Sequence, residues 1–314
     1  MPRQLELVAP RGYCAGVDRA IETVERVLEE LGAPVYVRGE IVHNKHVVHT
    51  LAEKGAVFVA SEAEVPEGET IILSAHGVSP EVRRVCAERR LRVIDATCPL
   101  VSKVHAEVRR YANRGATVLL VGHGDHEEVI GTLGEAPASV VLVEDIHDAE
   151  TVTVPDPENV ALTTQTTLSI DDTTEIVEIL KRRFPALVGP KSSDICYATQ
   201  NRQDAVREVV GEGADLVLVV GSRNSSNSNR MVEVARAKGA DAYLLDNSSE
   251  LDPVWFHGKR RVALTAGASA PEVLVQEVAD ALIAAGYIRT GEEQPSAEGV
   301  VFGLPREART IGRT

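Results

Sequence analysis

The chain of 314 residues repeats one pattern three times, and this repeat limits the folds open to it. In each copy a short apolar run ends at a cysteine, and a helical pattern of apolar residues follows. The three cysteines are Cys14 in RGYCAGVDRA, Cys98 in DATCPLVSKV and Cys196 in SDICYATQNR. They are roughly 90 residues apart, which is longer than the repeat of a solenoid. The pattern therefore predicts three small domains.

The apolar runs between the cysteines indicate the type of sheet. Runs such as ATVLLVG and ADLVLVVG are continuously apolar, which is typical of strands buried on both faces. They alternate with helical patterns, and this alternation predicts parallel sheets of an α/β fold. The predicted domains span residues 15–97, residues 98–195, and residues 1–14 together with 196–287. Residues 288–314 form a predicted C-terminal extension.

The charge balance narrows the classes of partner. With 33 basic and 47 acidic residues the net charge is −14, and aromatic residues are only 4% of the chain. A nucleic-acid-binding protein would show a basic surface, so we expect no such partner. An anionic ligand would need a local site of amides, hydroxyls, helix N-termini or imidazoles. No run approaches the ~18 apolar residues of a membrane span, so we expect no membrane partner and a cytoplasmic location.

The placement of the three cysteines predicts a metal site. One sulfur at each strand-to-helix turn suggests three thiolates that gather on one axis, where they would bind zinc or an iron–sulfur cluster. Three ligands leave one metal position open for chemistry. The CxxC spacing of zinc fingers and ferredoxins is absent. Cys86 differs, because it lies in helical step with Val82 and Val85, and we expect it to be a buried structural thiol.

Histidines at the ends of apolar runs predict one shared pocket. His43, His76 and His126 each follow such a run beside asparagine, glycine or acidic residues. Imidazoles that are protonated or that donate an N–H could hold a diphosphate. Glu128 follows His126 by two positions, and we interpret it as a general acid at this pocket.

Small polar residues predict the rest of the pocket. Ser225, Ser226 and Asn227 stand before a helix predicted to start near Asn229, so hydroxyls, an amide and helix N–H groups could grip phosphate oxygens. By their matching positions in the repeat, we expect Thr166 and Ser269 to line the same pocket. Ser269 with Glu272 also fits a capping box, which predicts that Ser269 begins a helix.

Eight motifs in order resemble a known family of enzymes. They are RGYCAGVDRAI, VHNKHVV, SAHGVSP, DATCPLVSKVH, QTTLS, DICYATQNRQ, GSRNSSNSNR and TAGASAP, and they run from Arg11 to Pro271. Together they resemble the 4-hydroxy-3-methylbut-2-enyl diphosphate reductases. These oxidoreductases are the terminal enzymes of the methylerythritol phosphate route to isoprenoids, and they remove an allylic hydroxyl to give isopentenyl and dimethylallyl diphosphate.

The resemblance implies a fold, a cofactor and a set of site residues. The implied fold is a pseudo-threefold trefoil of three α/β domains around one 4Fe-4S cluster. One cysteine per domain would hold the cluster, which matches Cys14, Cys98 and Cys196, and the proton donor would be Glu128. The implied electron donor is a ferredoxin or a flavodoxin. The implied contacts to the diphosphate and the hydroxyl fall on His43, His76, His126, Thr166, Ser225, Ser226, Asn227 and Ser269.

Two other functions fit part of the pattern. A redox-neutral iron–sulfur dehydratase also uses three cysteines and an open iron, and only the need for an external reductant separates it from a reductase. A protein that senses or binds a metal without catalysis is the second alternative. The acidic charge and the lack of a DNA-binding helix pair weigh against a sensor.

Overall fold

The computed structural model of the chain describes residues 3–190, 193–290 and 298–311, with the side chain of Asp172 excepted. The strands within these ranges are β1 (Gln4–Leu7), β2 (Val35–Arg38), β3 (Ala56–Val59), β4 (Thr70–Leu73), β5 (Arg92–Asp95), β6 (Thr117–Val121), β7 (Val140–Val143), β8 (Val160–Thr164), β9 (Leu216–Val220), β10 (Asp241–Leu245), β11 (Arg261–Ala266) and β12 (Ile288–Thr290).

The helices of the same ranges are α1 (Ala15–Leu31), α2 (Lys45–Glu53), α3 (Pro80–Glu88), α4 (Pro99–Ala112), α5 (Glu127–Gly134), α6 (Ile146–Thr151), α7 (Ile170–Arg183), α8 (Tyr197–Gly211), α9 (Ser226–Ala237), α10 (Glu272–Ala284) and α11 (Arg306–Thr310). Short 3-10 turns lie at Glu62–Glu64, Ser248–Glu250 and Pro253–Phe256. Of the helices described, none is both long and apolar enough to cross a membrane.

Three parallel sheets share one order of strands, and they confirm the predicted fold class. The orders are β10-β9-β11-β1-β12 in sheet A, β3-β2-β4-β5 in sheet B and β7-β6-β8 in sheet C. In each sheet the first strand of the repeat lies between the second and the third. All pairs are parallel, as expected for strands linked by helices.

The segment that leads to each cysteine lies beside the third strand of its sheet. In sheet A this segment is β1, which pairs with β11, and in sheet B it is β5, which pairs with β4. In sheet C the equivalent place belongs to Val188, whose amide donates to Val160 O at 3.0 Å and whose carbonyl accepts from Leu162 N at 2.9 Å. The repeat of the sequence is therefore a repeat of topology.

The strand sequences are apolar because both faces of the central strands are covered. All the residues of β4, β8 and β9 are buried. In α1 the fully buried positions Ala20, Val24 and Val27 recur with helical spacing and form the face turned to the core. This helix ends at Gly32, whose φ of +75° suits the left-handed residue that closes a helix.

By its internal contacts the chain divides into two compact units, which are described separately. Unit 1 comprises residues 1–18, 43–49 and 197–301 and contains sheet A. Unit 2 comprises residues 19–42, 50–196 and 302–314 and contains sheets B and C. The exact bounds of the three domains stay a prediction.

One described part of the C-terminal extension belongs to unit 1 and another belongs to unit 2. Ile288–Thr290 forms β12, which pairs with β1 at the edge of sheet A. In unit 2, α11 packs against β5 through the fully buried Ala308. Residues 291–297 and 312–314 of the extension lie outside the described ranges.

The predicted capping box at Ser269 is wrong. The residue that caps α10 is Pro271, and Ser269 lies outside the helix. The Glu272 carboxylate instead accepts hydrogen bonds from Arg11 Nη2 at 2.8 Å and from Arg11 Nε at 3.1 Å. The Arg11 side chain is fully buried, and a buried charge is costly without a partner of opposite charge. The Glu272 carboxylate therefore pairs with Arg11 and does not form a capping box with Ser269.

We predict that Glu272→Ala destabilises unit 1 by about 3 kcal/mol, because it leaves the buried Arg11 charge without its carboxylate. Urea unfolding followed by circular dichroism measures the loss. Glu81→Ala is the matched control, since Glu81 also lies in the first turn of a helix and pairs with Arg84, but both of those side chains are exposed. A control that shifts the unfolding midpoint as far as Glu272→Ala does would contradict this account.

Candidate functional site

Each of the three cysteines begins a helix and bonds back to the loop after the third strand of its sheet. Within unit 1, Cys14 N donates to Ala268 O at 3.1 Å. Within unit 2, Cys98 N donates to Ala75 O and Cys196 N donates to Thr166 O, both at 3.0 Å. The helices α1, α4 and α8 start at the residue after each cysteine. The three thiols therefore have equivalent local settings at the carboxyl ends of parallel strands, where α/β proteins bind ligands.

Arginine side chains, one buried and one half-buried, fix the turns of Cys14 and Cys98. In unit 1, Arg202 Nη2 donates to Gly12 O at 2.7 Å, and the Arg202 side chain is almost fully buried. In unit 2, Arg19 Nη1 donates to both Ala96 O and Thr97 O at 2.9 Å. Each guanidinium group donates hydrogen bonds to carbonyl oxygens of its turn, and these bonds restrain the position of the sulfur.

An acidic residue does the same for the turn of Cys196. The Asp194 carboxylate is fully buried and accepts from Thr163 Oγ1 at 2.9 Å and from Lys103 Nζ at 3.2 Å. Asp194 lies two residues before Cys196, so these bonds anchor the segment that leads to the sulfur.

The cysteine thiols fit metal ligation in chemistry and access. Cys14, Cys98 and Cys196 are partly accessible, whereas Cys86 is fully buried in an apolar cluster with Val59 and Leu73. This burial confirms the interpretation of Cys86 as a structural thiol. Burial raises the pKa of the Cys14 thiol, against the helix amides and Arg202, which lower it. A metal that binds the Cys14 sulfur must displace the proton of the thiol.

Glu128 is a buried carboxyl group held by Thr166. It lies in the first turn of α5 with 3% of its surface exposed. Its Oε1 accepts from Thr166 N at 2.7 Å, and its Oε2 accepts from Thr166 Oγ1 at 2.8 Å. Burial raises the pKa of Glu128, and the two bonds from Thr166 only partly offset the rise. The group therefore keeps a proton at a higher pH than an exposed glutamate does, as a general acid must.

Two of the predicted histidines lie close together beside Glu128. The rings of His76 and His126 have their centroids 5.9 Å apart in an edge-to-face arrangement. His126 caps α5, and its Nδ1 accepts from Glu128 N at 3.1 Å. A neutral His126 ring therefore carries its proton on Nε2, as a donor. His76 Nδ1 lies 2.9 Å from Glu127 Oε2, which orients that ring.

The first turn of α9 in unit 1 leaves an amide group for a ligand. The helix begins at Ser226, earlier than predicted, because the Ser225 hydroxyl accepts from Ser228 N and acts as the cap. Asn227 Oδ1 accepts from Ala268 N at 3.0 Å. Its Nδ2 is buried and has no hydrogen-bond partner among the described residues. A buried donor of this kind is costly unless a ligand completes it.

Two glycines allow the first turn of α9 to approach the ends of the strands. A Cβ at Gly267, after β11, would lie 1.9 Å from Ser228 Oγ, and a Cβ at Gly221, after β9, would lie 2.3 Å from the same atom. Close passage of α9 over the strand ends therefore depends on both glycines. The sequence analysis did not single them out.

His43 and Ser269 are neighbours in unit 1. Ser269 Oγ donates to His43 O at 2.8 Å. His43 Nδ1 lies 3.4 Å from Asn224 Nδ2, so Nδ1 accepts and a neutral ring carries its proton on Nε2. The imidazole is thus set up as an N–H donor, as the predicted anion site requires.

Sequence reasoning missed the residues that orient the site. Glu127 was not recognised as the partner of His76, and His105 showed no pattern, although it is buried against Glu135. These pairs join residues that are far apart in sequence, so periodicity and motif spacing carry no signal for them.

Comparison with known proteins gives consistent matches over nearly the whole chain. The family model described as LytB protein matches residues 5–283. A 4-hydroxy-3-methylbut-2-enyl diphosphate reductase of Acidothermus cellulolyticus is 56% identical over 98% of this chain and 90% of its own length. The reductase of the same name from Xanthomonas oryzae pv. oryzae is 55% identical over 96% of this chain and 97% of its own length.

Solved structures give the same result. The E-1-hydroxy-2-methyl-but-2-enyl-4-diphosphate reductase from Plasmodium falciparum superposes with a TM-score of 0.95 at 38% identity, and the match covers 100% of this chain and 99% of that one. A solved (E)-4-hydroxy-3-methyl-but-2-enyl diphosphate reductase, described as the terminal enzyme of the non-mevalonate pathway, gives a TM-score of 0.63 at 32% identity over 90% of this chain and 99% of its own.

Proposed function

The chain belongs to the LytB family of 4-hydroxy-3-methylbut-2-enyl diphosphate reductases, and from this membership we propose how its residues carry out the reaction. The enzyme is an oxidoreductase of the isoprenoid pathway. It removes the allylic hydroxyl of 4-hydroxy-3-methylbut-2-enyl diphosphate and yields isopentenyl and dimethylallyl diphosphate. The overall change consumes two electrons and two protons, and the oxygen leaves as water.

We propose that Cys14, Cys98 and Cys196 hold one 4Fe-4S cluster, in a family whose members are iron–sulfur proteins. The observation that carries this proposal is the shared setting of the three thiols, each at a helix start with its amide bonded to the loop after the third strand. When bound, the cluster would supply single electrons and an open iron as a Lewis acid. A ferredoxin or a flavodoxin is the proposed electron donor, and a cytoplasmic location stays a prediction.

The diphosphate is assigned to hydroxyl, amide and imidazole side chains. The residues that would bind it are His43, His76, His126, Ser225, Ser226, Asn227 and Ser269. The buried, unmatched Nδ2 of Asn227 supports this assignment most directly. Helix N–H groups at the start of α9 add further donors for phosphate oxygens. Thr166 would contact the substrate hydroxyl while it keeps Glu128 in place.

Glu128 is assigned the role of general acid. Its carboxyl group, whose pKa burial raises, would give its proton to the hydroxyl oxygen as the C–O bond breaks. Thr166 then stabilises the carboxylate that remains, because its N–H and O–H both point at the oxygens. A second proton must reach the allyl group. The terminal carbon of the allyl group that receives this proton decides which of the two products forms. A redox-neutral dehydratase would need no reductant, so dependence of turnover on a one-electron reductant excludes that alternative.

We predict that Cys14→Ser, Cys98→Ser and Cys196→Ser each lose iron, sulfide and turnover, because a hydroxyl is a poor ligand for iron of a sulfur cluster. Cys86→Ser is the matched control and should keep all three. Iron and acid-labile sulfide are assayed on anaerobically purified protein. Loss of the cluster in Cys86→Ser, with the other three variants intact, would refute the assignment.

We predict that Asn227→Asp weakens binding of inorganic diphosphate by about tenfold or more, because it replaces the unmatched N–H donor with an anion. The bond from Ala268 N to Oδ1 can persist, so the loop should stay folded. Asn247→Asp is the matched control, since Asn247 caps a 3-10 turn through its Oδ1 and an aspartate caps equally well. Titration calorimetry measures both affinities, and an unchanged affinity in Asn227→Asp would remove Asn227 from the diphosphate site.

We predict that Glu128→Gln lowers turnover by about 10² or more while the cluster stays bound, since an amide keeps the shape of the side chain but cannot give up a proton. Iron content and steady-state rates with a chemical one-electron reductant decide this. Near-normal turnover with a raised KM would instead make Glu128 a binding residue.

A further inference from the structure

A buried arginine of α8 is paired with a carboxylate of the C-terminal extension, within unit 1. The Arg202 side chain is 1% exposed, and its Nη1 donates to Glu298 Oε2 at 3.0 Å. The other oxygen of Glu298 accepts from Asn201 Nδ2 at 2.9 Å, and the Glu298 side chain is 10% exposed. A buried guanidinium is costly without an opposite charge. Glu298 therefore provides the carboxylate that neutralises Arg202.

The same guanidinium group bonds to two segments that lie next to proposed metal ligands in the chain. Its Nη2 donates to Gly12 O, two residues before Cys14, at 2.7 Å. Its Nη1 also donates to Ala198 O, in the first turn of α8, at 2.9 Å. Both bonds depend on the guanidinium staying buried. The carboxylate of Glu298 therefore supports the turn of Cys14 through Arg202.

Residues 298–301 also form one wall of a cavity beside the turn of Cys14. The cavity has a volume of about 430 Å³ and lies within unit 1. Its other walls include Gly12, Tyr13, Ala15 and Arg202. Two of these residues are the chain neighbours of Cys14, so the cavity lies against the segment that carries this sulfur. Val301 is 91% exposed and buries little apolar surface, so we attribute the position of this wall to the bonds of Glu298.

The extension makes a similar contact within unit 2. Arg19 Nε donates to Gly303 O at 2.9 Å, while Nη1 of the same side chain donates to Ala96 O and Thr97 O in the turn of Cys98. Within each unit, the extension is thus bonded to the arginine that holds the turn of a cysteine.

We propose that residues 298–303 are a strap that holds the turns of Cys14 and Cys98, and that Glu298 is the positioning residue that fastens it in unit 1. Without this carboxylate the Arg202 guanidinium would turn toward water and give up its bond to Gly12 O. The turn of Cys14 would loosen, and the cavity beside it would open. The strap thus sets how firmly Cys14 holds iron, without contact to the substrate. This inference rests on the proposed role of Cys14 as a cluster ligand.

The test is the rate at which anaerobically purified protein releases iron to a chelator. Glu298→Ala should release iron about tenfold faster, the usual scale for losing a group that supports a metal ligand. Its reduced cluster should also show a changed paramagnetic spectrum, since Cys14 is held less firmly. Glu298→Gln should release iron at an intermediate rate, because the amide oxygen still accepts a hydrogen bond but does not neutralise Arg202. Asp204→Ala is the matched control and should behave as the wild type, since Asp204 pairs with Arg207 on the same helix but is exposed.

A double-mutant cycle shows whether Glu298 acts through Arg202. Arg202→Met keeps a long side chain without its charge, so adding Glu298→Ala to this variant should change the rate of iron release by less than about twofold. Fully additive effects of the two substitutions would overturn the proposed route through Arg202.

Hydrogen exchange separates this inference from the proposed function, because it needs no cluster. In Glu298→Ala the amides of residues 11–17 and of the first turn of α8 should exchange faster, while those of α10 in the same unit should not. Unchanged exchange at these amides, a uniform rise throughout unit 1, or unchanged iron release from protein that holds a cluster would each overturn the strap. Faster local exchange in a protein that never binds iron would support the strap and refute the cluster instead.

Discussion

The hydrogen bond from each cysteine amide to the loop after a neighbouring strand is the interaction on which the structure depends. It ties the start of a helix to the carboxyl end of a parallel sheet, so the thiol takes its position from the backbone rather than from a flexible side chain. The buried Arg202 at the turn of Cys14, the half-buried Arg19 at the turn of Cys98 and the buried Asp194 before Cys196 hold the same segments through hydrogen bonds. The three turns that carry the proposed metal ligands are therefore fixed by the protein itself.

Burial of Glu128 has two opposing consequences for an acid. It raises the pKa of the carboxyl group, which favours the protonated form, but it also penalises the carboxylate that forms once the proton is given away. The N–H and O–H groups of Thr166 reduce the penalty on the carboxylate because they donate hydrogen bonds to its two oxygens. The proposed acid therefore combines a raised pKa with two hydrogen-bond donors that stabilise its carboxylate form. The same threonine carries the carbonyl to which Cys196 N is bonded, so one loop contacts both Glu128 and Cys196.

The sequence predicted the three parallel sheets, but it did not predict the long-range partners of individual side chains. Continuous apolar strands, helix-closing glycines and cysteines at strand ends are properties of short segments, and the three parallel sheets followed from them. The ion pair of Arg11 with Glu272 joins residues 261 positions apart, and it displaced the capping box that the local pattern at Ser269 predicted. The contacts of Glu127 with His76 and of His105 with Glu135 are likewise tertiary. Local patterns report what a segment favours, whereas a buried charge must be neutralised wherever its partner comes from.

The proposed diphosphate site contains no lysine or arginine, and this suits the proposed role of Glu128 as an acid. A lysine or arginine beside Glu128 would bind a diphosphate strongly, but it would also lower the pKa of the carboxyl group and ionise it before the substrate reacts. Amides, hydroxyls and uncharged imidazole N–H groups bind phosphate oxygens through directed hydrogen bonds and carry no net charge. They therefore change the pKa of a neighbouring carboxyl group less than a lysine or arginine would. Such donors lose their hydration when they are buried, and this costs free energy. The buried Nδ2 of Asn227 is an example. In a chain with a net charge of −14, recognition of an anion must therefore come from the geometry of a few donors.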